Sequence, residues 1–115
     1  MKYFTFMVTD STAEPYLPEE DNIVQWVKDV NALVGAGEAD GDRLRPREEA
    51  KTVRVRNGET IVTDGPFTES KEWINGWGIN DFDDLDQAIE VMAKHPVARF
   101  GQIEIRPFFD WEAAE

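Results

Sequence analysis

The chain has no cysteine, so disulfides, thiol catalysis and cysteine-based zinc sites are excluded. It has a single histidine, His95, which rules out histidine-rich metal centres and relays that need several imidazoles. Basic residues are scarce: 12 Lys and Arg stand against 24 Asp and Glu, for a formal net charge of -12. Such a surface repels phosphate backbones, and no Lys/Arg cluster offers a local exception, so nucleic-acid binding is not expected. No apolar run approaches the roughly 20 residues of a membrane-spanning helix. The stretch from Lys2 to Val8 is too short for a leader and reads as a strand, so a cytoplasmic location is expected by default.

What is there is ordinary for one globular domain. The 115 residues are 41% hydrophobic and 31% charged. A first strand is expected over residues 2–9, with Phe4, Phe6 and Val8 on one face and Tyr3, Thr5 and Met7 on the other. Pro18, Glu19 and Glu20 favour helix initiation. The helical spacing of Ile23, Trp26, Val27, Val30, Leu33 and Val34 then carries one apolar stripe to about residue 35. Residues 38–50 read as polar and irregular. Asn57-Gly58, between Thr52–Arg56 and Glu59–Thr63, is a strong hairpin signal, because a type I′ turn needs positive φ at both central positions. A strand is expected over residues 71–82, where Gly76 and Gly78 flank Trp77 and suggest a close approach to the backbone. Asp83 is read as the cap of a second helix with Leu85, Ala88, Ile89 and Met92 on its buried stripe. That helix closes at His95 and Pro96. A last strand runs from about Gln102 to Phe108.

This order predicts an α+β fold: a ferredoxin-like split βαβ unit with an antiparallel sheet and an extra β-hairpin. One domain covers 1–115. If Phe4, Phe6, Val8, Ile103 and Ile105 meet the helices, the opposite face carries Tyr3, Thr5, Met7, Glu104, Arg106 and Phe108. That mixture is too apolar for water and too polar for a dry core, and a second copy of the chain is the economical cover. A homodimer enclosing polar-lined clefts is the expectation.

The run Val62-Thr-Asp-Gly-Pro-Phe-Thr-Glu-Ser-Lys-Glu72 resembles the YCII-related family, and in particular its DGPF-motif subgroup. Gly76, Asp83-Asp-Leu-Asp-Gln-Ala88, Ile103-Glu-Ile-Arg-Pro107, Val53-Arg-Val-Arg56 and the opening Met-Lys-Tyr extend the resemblance over most of the chain. It implies a dimeric α/β barrel and delivers no settled activity. Relatives carry a His in the first helix and an Asp before the Pro that closes the second. Here no His lies between residues 19 and 35, and His95 occupies the second position.

Each candidate site residue has a structural and a functional reading. Asp64 caps its own turn or transfers protons. His95 is a helix-terminal group or a catalytic one. Arg106 anchors an anionic ligand through its guanidinium fork or pairs with Glu104. Trp77 packs or stacks on a ligand. Glu69 is solvated or orients Asp64, and Tyr3 lies on the expected ligand face. The acids Asp81, Asp83, Asp84 and Asp86 lack the Gly and Glu of an EF-hand and suit helix capping, so no metal is expected. Neither is a cofactor. The first functional reading is a small protein binding an anionic or aromatic ligand in a cleft at a dimer interface. The second is a cofactor-free lyase, isomerase or dehydrochlorinase with Asp64 as base. The third is an interaction module linked to transcription without touching DNA.

Overall fold

Residues 1–34, 40–65 and 72–112 are described by the structure, a computed structural model. Glu69, Pro66 and Phe67 lie outside those residues, so the readings placed on them have no structural counterpart. The chain runs β1 (Lys2–Val8), α1 (Ile23–Val34), β2 (Asp40–Arg43), β3 (Lys51–Arg56), β4 (Glu59–Asp64), β5 (Ile74–Asp81), α2 (Leu85–Met92), α3 (Pro96–Phe100) and β6 (Gln102–Pro107). Four strands form one antiparallel sheet in the order β2-β5-β1-β6, while among the described residues β3 and β4 pair only with each other. The fold is mixed α+β, and among the described residues the main sheet is open and does not close into a barrel.

The hairpin forms as the sequence expects: Asn57 has φ 51° and Gly58 φ 77°, and Arg56 faces Glu59 across the strands. Strand β2 corrects the reading of residues 38–50 as irregular. Its four residues, Asp-Gly-Asp-Arg, are all exposed, so neither alternation nor apolarity marks them. They form a strand because β5 offers a free edge, and the register pairs Asp40 with Ile79 and Arg43 with Gly76.

The faces of β1 are the reverse of those expected. Tyr3, Thr5 and Met7 are the buried set, and Tyr3 is only 3% exposed. Tyr3 packs in the core with Phe82, Ala88 and Met92, beside Trp26, Val34, Val91, Ile103 and Ile105. Tyr3 is therefore no part of an open ligand face. Opposite β1, strand β5 presents Gly76, Gly78 and Asn80 on the covered face, with Gly78 across from Thr5. Aromatic rings collect on the other face, where Phe4 lies 4.8 Å from Phe6, 6.1 Å from Trp77 and 6.2 Å from Phe108. Ile103 and Ile105 do meet the helices, because they pair with Met7 and Thr5.

Helix α2 starts one residue later than expected. Asp84 is its cap, accepting from Gln87 N at 2.8 Å, while Gln87 Oε1 accepts from Asp83 N at 2.7 Å. Its inner side is Ala88, Val91 and Met92, while Leu85 and Ile89 face outward. His95 and Pro96 do not close it. Instead they open α3, in which Pro96 takes the first turn and His95 is the cap.

Candidate functional site

Helix α1 does not settle onto the β5–β2 half of the sheet. Of its apolar stripe only Val30 is buried, and Val27 and Leu33 stay exposed. Below it β5 contributes glycines where a core would need side chains, and the result is a cavity of about 810 Å³. Such a volume suits a small molecule. Its apolar walls include Met7, Val30, Trp26 and Phe100, and its floor is the backbone of Gly76 and Gly78. The bare floor is enforced at Gly78, where an added Cβ would stand 2.7 Å from Thr5 Oγ1. Thr5 itself is fully buried, and its hydroxyl has no hydrogen-bond partner among the described residues.

His95 sits in the wall of this cavity, 6% exposed, with its ring edge-on to Trp26 at 4.5 Å. The turn into α3 fixes its orientation: Nδ1 accepts the Val97 N–H at 3.0 Å. An Nδ1 that accepts has no proton, so the neutral ring carries its hydrogen on Nε2. Burial pushes the pKa of His95 down to about 4, against a smaller opposing pull from Asp21. At neutral pH His95 is an uncharged N–H donor, poorly suited to act as a base. Trp26 is held in turn by its indole N–H, which donates to Val91 O at 2.9 Å. Asp21 stands before α1, where Oδ1 accepts from Ile23 N at 3.0 Å and Oδ2 from the Tyr16 hydroxyl.

The other sequence candidates fall elsewhere. Asp64 ends β4 on an exposed surface and is ion-paired with Lys51. The Lys51 hydrogen bond and charge lower its pKa, which moves it away from the range of an efficient general base. Arg106 pairs with Glu104 at 2.8 Å on the aromatic side of the sheet, over the Phe6 ring. Trp77 stacks on Phe4 on that same side. Of the candidates with described positions, only His95 and Trp77 border the cavity. Sequence reasoning missed Tyr16, Asp21, Trp26 and Asn80 as site residues. The Gly-Trp-Gly spacing was the one signal available, since it announced a bare stretch of sheet. Among the described residues no group of three or more His, Asp or Glu is placed to hold a metal ion. None of their helices is long and apolar enough to cross a membrane.

Fold and cavity together define an α+β domain with one helix standing off its sheet over a glycine floor. The chain belongs to the YCII-related domain family, which it matches over residues 1–112. It is similar to an uncharacterised protein of Rhizobium meliloti strain 1021, 34% identical over 113 residues, or 92% of this chain and 90% of that relative.

Proposed function

We propose that this protein binds a small organic molecule in the cavity between α1 and β5. The observation that carries the reading is the 810 Å³ space itself, floored by glycine backbone and walled by Trp26, Val30, His95 and Phe100. A concave, largely apolar space of this volume with a few polar groups on its wall has the character of a small-molecule site. The cleft differs from the one expected between two sheets, since it lies on the helix side and within one chain. Enzymatic use of Asp64 finds no support in its exposed pairing with Lys51. The test is a thermal-shift screen of small aromatic and alicyclic compounds on the wild type and on Val27→Trp, which places an indole at the cavity wall. Hits that vanish in the variant support the site. Hits that persist unchanged place binding elsewhere and remove this reading.

A homodimer is the second part of the proposal, and surface area favours it. A compact monomer of 13.2 kDa exposes about 6,400 Å², whereas this chain exposes 8638 Å². Its radius of gyration is 16.6 Å, against about 13 Å for a compact chain of this length. The surplus of roughly 2,000 Å² per chain is the scale that an obligate dimer buries. Half-buried Phe4, Phe6 and Trp77 with exposed Phe108 on one sheet face, and exposed Val53, Val55 and Val62 on the hairpin, offer apolar surface for it. Two-stranded hairpins are marginal in water on their own, and the twin chain is the cover we assign. A ferredoxin-like reading of the sheet, the closing of two such sheets into a barrel, the DGPF subgroup and a cytoplasmic setting belong to the same proposal. Sedimentation velocity on Phe6→Glu decides the pairing: a dimer that becomes a monomer supports it, and a monomeric wild type ends it.

A further inference from the structure

The chemistry of the cavity wall narrows its ligand, given that the cavity is the binding site. Four aspartates and one arginine border it, but they do not all point into it. Asp40 and Asp42 pair with Ile79 and Trp77, so their carboxylates share the opposite, aromatic face. Asp10, Asp21 and Arg43 remain. Arg43 lies opposite Gly76 on the cavity face, exposed at the mouth and close enough to Tyr16 to act on its hydroxyl. Two carboxylates against one exposed guanidinium leave the space negative, in a chain whose net charge is already -12. An anionic ligand is repelled there.

A cationic ligand meets the opposite obstacle further in. The Val97 N–H occupies Nδ1 of His95, so the imidazole presents a hydrogen and no lone pair. An ammonium group against that N–H gains nothing and loses its hydration. Asn80 adds an uncharged amide side chain to the same lining. It is 3% exposed and borders the cavity.

We propose that the cavity takes a neutral, largely apolar molecule bearing a carbonyl-type oxygen, which accepts a hydrogen bond from His95 Nε2. His95 is then a specificity-determining residue. The anion anchor expected at Arg106 plays no part, because that side chain lies on the other face, paired with Glu104.

Four probes of one shape separate the classes: acetophenone, ethylbenzene, benzoate and benzylamine, titrated at pH 7 by calorimetry or fluorescence. Acetophenone is expected to bind at least about tenfold more tightly than each of the other three, the scale of one well-made buried hydrogen bond. In His95→Asn, which keeps an acceptor for Val97 N, acetophenone is expected to fall to the level of ethylbenzene. Because the chain has one histidine, its ring nitrogens are assignable in the wild type without any variant. The neutral ring is expected to be the Nε2–H tautomer, and that resonance is expected to move on adding acetophenone. Equal binding of ethylbenzene, preference for benzoate or benzylamine, or an Nδ1–H tautomer would overturn this inference while leaving the cavity as a site. Binding of none of the four, or binding unaffected by Val27→Trp, would remove the cavity reading and this inference with it.

Discussion

Acid should weaken this protein through one identifiable proton. His95 is 6% exposed and its pKa is pushed from 6.5 to about 4 by burial. In the unfolded chain the ring takes up its proton near pH 6.5; in the folded chain it resists until about pH 4. The unfolded state therefore binds more protons throughout this window, and stability declines as pH falls. The contribution of the neutral ring is fully present above about pH 6.5, shrinks through the window, and is gone below about pH 4. At about 1.4 kcal/mol per tenfold change in proton affinity, the whole effect is about 3 kcal/mol, a large part of a small domain's stability. Carboxylates titrate in the same range, and losing negative charge relieves the repulsion of an acidic chain, so the raw pH profile mixes effects. The difference between wild type and His95→Asn isolates the imidazole. Urea unfolding of both proteins at pH 7.5, 6, 5 and 4 is expected to show the wild-type advantage falling by about 3 kcal/mol. An NMR titration of the single histidine is expected to give a midpoint near 4. A midpoint near the free value of 6.5, or a stability difference that stays flat with pH, would refute the burial argument.

Three further outcomes follow from particular contacts. Gly78→Ala drives a methyl to within 2.7 Å of Thr5 Oγ1, and urea unfolding should register a loss of about 1–3 kcal/mol. The double variant Gly78→Ala/Thr5→Ala should recover part of that loss, whereas strict additivity would mean that the two side chains do not meet. Thr5→Val removes a buried hydroxyl with no partner among the described residues while keeping its shape. It should raise stability by about 1 kcal/mol, and a fall of that size would mean the hydroxyl is in use. Asp84→Ala removes the cap of α2, with an expected cost of about 1 kcal/mol in thermal or urea unfolding. No change there would place the start of α2 elsewhere.

Much of this molecule was legible residue by residue. Asn57-Gly58 located the hairpin and its register, because few residue pairs tolerate positive φ twice in succession. The stripe from Ile23 to Val34 located α1, and the alternation around Ile103 and Ile105 set the inward face of β6. The faces of β1 were illegible. Phe-Thr-Phe-Met alternates equally well in either sense, and only the packing of Phe82, Ala88 and Met92 against Tyr3 shows which set is covered. Strand β2 was illegible for a related reason, since an exposed edge strand has no buried face to pattern.

The site divides in the same way. The sequence by itself determined that one imidazole exists, that thiol chemistry does not, and that the surface is strongly acidic. It also placed a bare Gly-Trp-Gly stretch in a strand. Tertiary structure alone decided that His95 caps α3 with Nδ1 and so becomes a donor, and that Asp64 and Arg106 are held by Lys51 and Glu104 away from the cavity. The physical reason is that composition and local conformation are properties of a segment. A cavity, a tautomer and a shifted pKa are set by what distant segments bring against a side chain, and no spacing along the chain encodes that distance.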